Sequence, residues 1–291
     1  MRMRLLSNLR ALAGWFLALA LVLSLAPPRG AAQAWAEPPE PPGTVIVLPM
    51  VTTPAIFGER YLAGYSVAGR SLEAFRYGYG EHRKLILAGI HGGYEWNTVE
   101  LAEMFMEHLS ENPELIPYDQ TLFILPVLNP DGLARSRWIQ GRANDNNADI
   151  NRNFDANWKA DWHRVGCWNY LPITAGTAPF SEPEAAALRD FVLAYQIEAL
   201  ISYHSSGAEI YAGGVPPDPA SLDLTLTLEA ASGYAYPPHQ SECEMTGQLI
   251  DWASAQGIAA VDVELANHQS VDWEPNLRIL EAFLQWSAPE E

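Results

Sequence analysis

The chain has 291 residues, 35 acidic against 17 basic side chains, a formal charge of −18 and two cysteines. That balance excludes a nucleic-acid partner and an anionic membrane surface, because the field repels both; it either draws in cationic substrates or simply keeps an exported protein in solution. Two cysteines exclude a disulfide framework and a Cys-rich zinc cluster, and Cys167 and Cys243 can pair in an oxidising compartment or remain free.

In chain order, Arg2, Arg4 and Arg10 precede an apolar run from Ala11 to Ala26, then Pro27-Pro28 and the small residues Ala32-Gln-Ala34. This is the pattern of a secretory signal peptide over residues 1–34, and the run is short for a retained anchor. Its removal takes away four arginines and no acid, leaving a more acidic chain with no stable membrane span. The expected location is secreted or periplasmic. Residues 35–43 are a proline-rich lead-in that cannot form helix or interior strand. Residues 44–291 then fit one domain with a substantial core.

Apolar runs of strand length are predicted at Leu85–Ile90, Thr121–Leu128, Glu198–Tyr203 and Ile258–Val263, with helical spacing over Thr98–Leu109, Glu182–Tyr195, Gly247–Gln256 and Glu274–Trp286. This alternation predicts an α/β fold: a single domain with a mixed, largely parallel central sheet flanked by helices on both faces. Ligands of such sheets bind beyond the carboxyl ends of the strands. The residues there are His91, Asn129-Pro-Asp-Gly132, His204 and Glu264.

A catalytic zinc takes three protein ligands and leaves one position open. His91, Glu95 and His204 can supply that set if the chain turns into helix just past His91, since residues four apart then share a face. A lone histidine at a strand end is more often structural, and the His-Glu-x-x-His zinc motif is absent. His82, His108 and His163 read as surface residues, whereas His239 and His268 are alternative ligands. The stretch from Gln140 to Trp158 is crowded with arginine and asparagine. It reads either as a turn-rich loop held by Asn and Asp side chains or as a carboxylate-binding surface.

The ordered set of His91/Glu95, Asn129-Pro-Asp-Gly132, Arg142, Asp149-Ile-Asn-Arg-Asn-Phe154, Pro179-Phe-Ser-Glu-Pro-Glu184, Tyr203-His-Ser205, Thr246-Gly247, Asp251-Trp252 and Val263-Glu-Leu265 resembles the zinc metallocarboxypeptidases of the carboxypeptidase A type. The resemblance runs from about Gly64 to the C-terminus. It implies one zinc ion per chain on His91, Glu95 and His204 with water in the fourth position, and Asn151 and Arg152 holding the C-terminal carboxylate of a peptide. It implies Arg142 polarising the scissile carbonyl and Glu264 as the general base. Ile250, in the segment that lines the terminal side-chain pocket in that family, implies an apolar terminal-residue preference.

Two departures stand out. The family's histidine and glutamate are usually three apart, and Tyr94 makes them four apart here. The position of the family's substrate-closing tyrosine holds Cys243, with Tyr234 or Tyr236 as replacements from the preceding loop. The function so implied is an exported metallocarboxypeptidase acting on peptide or protein C-termini. The alternatives are an amidase acting on cell-wall peptides and a non-catalytic peptide-binding protein on the same fold. The intact set of His91, Glu95, His204, Arg142 and Glu264 argues against the last of these.

Overall fold

Leu85, Ile86 and Leu87 are all fully buried, so the strand that carries them, β3 (His82–Leu87), is covered on both faces. The computed structural model describes residues 58–163, 172–239 and 242–289. The expected signal peptide, the lead-in, the start of the domain at residue 44 and Cys167 lie outside the described residues.

β3 sits at the middle of a seven-stranded sheet. Its order is β1 (Glu59–Tyr65), β2 (Ser71–Gly78), β4 (Gln120–Leu125), β3, β5 (Ala199–Ser205), β7 (Ala259–Leu265) and β6 (Glu209–Ala212). The four predicted strands are the parallel centre, and β1, β2 and β6 add antiparallel edges.

The alternation along each strand divides the core in two. Ile86, Ile201, Val261 and Val263 pack with Leu101 and Phe105 of α1 (Trp96–Glu111), Leu224 of α4 (Pro219–Ser232) and Phe283 of α6 (Trp273–Gln285). Leu85, Leu87, Leu200 and Ala260 pack on the opposite face with Leu188 of α3 (Pro183–Ala194) and Trp252 of α5 (Leu249–Ala255). The predicted helices are present with ends displaced by a residue or two, and helices cover both faces as expected. A short α2 (Pro130–Arg135) follows β4.

Lys84 is a cation inside this core. Its Nζ donates to the carbonyls of Phe283, Leu284 and Trp286 at 2.7, 3.2 and 2.6 Å, satisfying acceptors at the end of α6 that no helical amide can reach. Among the described residues no helix is long and apolar enough to cross a membrane.

The topology also fixes where a ligand can go. The chain leaves β3 for β4 on one side and later reaches β5 on the other, so a crevice opens beyond the carboxyl ends of β3 and β5. Strand parity then aims the side chains. Ser202 and His204 follow Leu200 on one face of β5, and Asp262 and Glu264 follow Ala260 on the same face of β7, with Ser202 opposite Asp262 and His204 opposite Glu264.

Candidate active site

The chain between His91 and Glu95 is not α-helix. Gly92–Glu95 forms a 3-10 turn, and α1 begins only at Trp96, so the expectation of a helix just past His91 is corrected. Gly92 has φ +48°, and a Cβ there would lie 2.7–2.9 Å from Gly141 O, Leu133 N and Asn129 O. At Gly93 it would lie 2.0 Å from Ser136 O. Only glycine lets this turn lie so close to the neighbouring loops. Thr98 closes it by donating to Glu95 O at 2.7 Å and accepting from Gly89 N at 3.1 Å.

The turn brings the acid back to the histidine. His91 Nδ1 and Glu95 Oε1 are 2.8 Å apart, His204 Nδ1 lies 3.2 Å from His91 Nδ1, and Glu95 Oε2 is 3.2 Å from His204 Nδ1. One ligand atom from each of the three residues falls within 4.8 Å of the others, and all three residues are buried. Although burial alone would raise it, His91 and His204 hold the Glu95 carboxyl far below the usual carboxylate range. Burial would likewise lower His204, but Asp262 and Glu95 hold its imidazole well above the ordinary value.

This donor set fits a metal cation. Glu95 Oε2 is shielded from water and out of hydrogen-bonding alignment with its neighbours, and two nitrogens and a carboxylate are the ligands a catalytic zinc prefers. The far side of each ring is anchored as well, since His91 Nε2 lies 3.2 Å from Asp149 Oδ1 and His204 Nε2 3.0 Å from Ser202 Oγ. His268 is not part of the set: its Nδ1 contacts Ser205 Oγ at 2.9 Å and its ring stacks on Tyr94 at 4.4 Å. His239 is exposed.

Arg142 lies beside the three ligands, its Nη1 3.1 Å from His91 Nδ1 and its Nε donating to Asp149 Oδ2 at 2.9 Å. Asn129 holds it from behind. The Asn129 side chain accepts from Gly132 N, capping α2, and donates to Arg142 O at 2.9 Å. Asn151 Oδ1 accepts from Leu249 N at 2.9 Å, tying the loop to the start of α5. Arg152 is 3% exposed; its Nη1 donates to Asn151 O at 2.8 Å and its Nη2 to Met245 Sδ at 3.4 Å, and its Nε has no hydrogen-bond partner. Glu264 Oε2 is also shielded and unpartnered. Loss of hydration pushes that carboxyl up, to about 8; His204 opposes the shift, and Glu95 and Asp262 reinforce it.

His91, Glu95, Arg142, Asn151, Arg152, His204 and Glu264 line one cleft of about 260 Å³, joined by Tyr94, Tyr211, Cys243 and Asp262. Ile250 does not join them. It is 2% exposed and packs in the core beside Leu249 and Trp252. Tyr234 cannot replace the closing tyrosine, because its hydroxyl donates to Asp272 Oδ2 at 3.0 Å and accepts from Asn276 Nδ2 at 3.1 Å inside the core. Tyr236 is not among the cleft residues. Cys243 is disulfide-bonded, and the chain's other cysteine is Cys167.

Ser202, Tyr211 and Asp262 were not singled out from the sequence, and Asp149 was quoted there only within its motif, with no role of its own. For Asp262 the signal was parity, since it stands two residues before Glu264 and therefore on the same face of β7.

Comparison with known proteins agrees with this geometry. Residues 53–280 match Peptidase_M14, the zinc carboxypeptidase family. The chain is 29% identical to carboxypeptidase B of Astacus astacus over 67% of this chain and 74% of that protein. It is 26% identical to gamma-D-glutamyl-L-diamino acid endopeptidase 1 of Lysinibacillus sphaericus over 65% of this chain and 55% of that protein. The crystal structure of murein-tripeptide amidase MpaA from Escherichia coli O157 superposes with a TM-score of 0.58 at 26% identity, covering 79% of this chain and 93% of that one. The chain belongs to the zinc carboxypeptidase family.

Proposed function

We propose that this protein is an exported, secreted or periplasmic zinc carboxypeptidase that carries one zinc ion on His91, Glu95 and His204 and hydrolyses the C-terminal peptide bond of peptides or proteins. The observation that carries the reading is the convergence of those three buried ligands in a cleft that also holds two shielded polar atoms without hydrogen bonds, Arg152 Nε and Glu264 Oε2. Buried polar atoms without partners are costly, and substrate and water would complete both.

When bound, zinc supplies Lewis acidity to the scissile carbonyl and to water. The chain's own groups do the rest. Arg152, with Asn151 beside it, presents a planar fork to the terminal carboxylate, which restricts cleavage to a chain end. Arg142 is fixed by Asp149 with its Nη1 toward the ligands, where it stabilises charge developing on the carbonyl oxygen. Glu264, raised toward neutrality, takes a proton from the attacking water and returns it to the leaving amine.

A second reading, an amidase acting on cell-wall peptides, is supported by the likeness to the diamino acid endopeptidase and the murein-tripeptide amidase. Both readings are tested by incubating zinc-loaded protein with a C-terminal peptide library and with a muropeptide mixture and following products by mass spectrometry. Release of single terminal residues from the library supports the carboxypeptidase. Cleavage of muropeptides alone transfers the site to the amidase, and cleavage of neither, with wild-type zinc content, overturns both.

A further inference from the structure

Met245 lies in the same cleft, beside the arginine to which the terminal carboxylate is assigned. Its Sδ accepts from Arg152 Nη2 at 3.4 Å. With Arg152 Nη1 given to Asn151 O at 2.8 Å, the edge formed by Nε and Nη2 is the one left for a carboxylate, and the methionine sulfur stands on half of it. A thioether is a weak acceptor, so an arriving carboxylate displaces it at small cost.

The sulfur is also open to solvent. Among the described methionines Met245 is the most exposed, at 38%, whereas Met104 and Met106 on α1 are half-buried. No described cysteine is free, so this thioether is the group of the cleft most readily oxidised.

Its backbone cannot carry it out of the way. Cys243 is disulfide-bonded. Glu244 N donates to His163 O at 3.1 Å, and the Glu244 carboxylate accepts from His163 N at 3.0 Å and pairs with Lys159. Thr246 is fully buried. Gly247, at φ +61°, donates to Ala156 O at 2.8 Å and accepts from Phe154 N at 3.0 Å, and a Cβ there would lie 2.3 Å from Arg152 O. The chain on both sides of Met245 is therefore tied down, on one side to the loop that carries Arg152, and the sulfur is held beside the guanidinium after oxidation as before it.

We propose that Met245 is an oxidation site that closes the carboxylate-binding site: its sulfoxide occupies Arg152 and excludes the C-terminus of the substrate. The oxidant is a hydroperoxide. The sulfur lone pair attacks one peroxide oxygen, an S–O bond forms as the O–O bond breaks, and sulfur gives up two electrons. The other peroxide oxygen takes up the proton and leaves as water or an alcohol. A sulfoxide oxygen is a far stronger acceptor than a thioether, and on a sulfur already in contact with Nη2 it makes a charge-assisted hydrogen bond to the guanidinium. The assignment rests on the placement of the terminal carboxylate at Arg152.

The test treats zinc-loaded protein with hydrogen peroxide, locates the added oxygen by peptide mass spectrometry and titrates benzoylglycine by calorimetry. That ligand has the terminal carboxylate and no terminal side chain. Peptide hydrolysis is followed on the same preparations. Oxidation of Met245 should weaken benzoylglycine binding by about tenfold, the effect of one competing hydrogen bond to a charged group. KM should rise by a similar factor, with kcat and zinc content near their untreated values. Met245→Leu, compared with its own untreated sample, should lose nothing on peroxide treatment.

Full oxidation of Met245 with benzoylglycine affinity unchanged overturns the proposal. So does an equal loss in treated Met245→Leu, which would place the damage elsewhere, and so does a Met245 that stays reduced at a peroxide dose that oxidises free Nα-acetyl-methionine. Failure of benzoylglycine to bind the untreated protein removes the carboxylate from Arg152 and the proposal with it. If no peptide is hydrolysed but benzoylglycine affinity falls on oxidation of Met245 and not in Met245→Leu, the proposed activity fails and the oxidation site stands.

Discussion

Asp149 stands directly behind His91, its Oδ1 3.2 Å from the ring Nε2, while its other oxygen accepts from Arg142 Nε at 2.9 Å. One buried carboxylate therefore orients a metal ligand and a cation of the cleft together. Burial alone would raise it, but Arg142 and His91 keep the Asp149 carboxyl well below the usual range. Asp149→Asn should retain the fold and weaken zinc binding by roughly 10–100-fold, the usual effect of losing such a partner, and it should lower turnover further by releasing Arg142. Chelator competition measures the first effect, and an unchanged zinc affinity would remove Asp149 from this role.

Gly92 makes the His91–Glu95 turn possible. Its φ is +48°, and three backbone atoms of neighbouring loops stand within 2.9 Å of where a Cβ would be. None of them is the end of a flexible side chain that could swing away. Gly92→Ala should destabilise the protein by about 2–4 kcal/mol and lower Tm by roughly 5–15 °C for a domain of this size. Zinc affinity should fall with it, because Glu95 is displaced. A variant that melts with wild type would mean that the turn is looser than its contacts imply.

The centre of the fold was legible because β3, β4, β5 and β7 are buried on both faces and so read as largely apolar runs. The edges were not. β1 alternates partly buried and exposed residues, β2 alternates buried and partly buried ones, and β6 is four residues long, so none of them forms a run. α4 was missed because Leu222, Leu224, Leu226 and Leu228 alternate like a strand, and Leu226 is in fact exposed. Its caps were the better signal: Asp218 accepts from Ser221 N, Pro219 opens the helix and Gly233 closes it in the left-handed region.

Within the site, ligands at strand ends were found because polar residues interrupt an apolar run there. Asp262 sits inside the run Ile258–Val263 and was absorbed into it. The role of Asp149 depends on a neighbour, His91, 58 residues away in sequence, which no local pattern reveals.

Glu264 gives the sharpest separation of metal binding from turnover. Its carboxylate faces the cleft, contacts none of the three ligands through an ion pair among the described residues, and is held up to about 8 by loss of hydration. Glu264→Gln keeps the shape and removes the proton acceptor. Hydrolysis should fall about 10²–10⁴-fold with zinc content at the wild-type level. Steady-state kinetics with metal analysis on the same preparation checks both, and hydrolysis at the wild-type rate would exclude Glu264 as the base.

Asp131, the acid of the Asn-Pro-Asp-Gly stretch, is a structural tie rather than a cleft residue. Its side chain is fully buried and binds the turn between β1 and β2, accepting from Ser66 Oγ at 2.7 Å, Arg70 Nη1 at 2.6 Å and Ala68 N at 3.0 Å. Burial alone would raise its carboxyl, but the Ser66 hydroxyl, the Ala68 amide and Arg70 together hold it below the ordinary value. In the unfolded chain it titrates near 3.9. The folded state therefore binds fewer protons than the unfolded state just below that pH, and stability falls with pH there. The contribution is fully present above about pH 4 and is lost as the pH drops through the folded pKa. Asp131→Asn should be less stable than wild type by about 1–3 kcal/mol at neutral pH, and the gap should narrow as both are acidified below about pH 4. Denaturant unfolding of the two proteins at matched pH measures it. A gap of constant size from pH 7 into the acid range would show that Asp131 holds the turn by shape and neutral hydrogen bonding, with no part played by its charge.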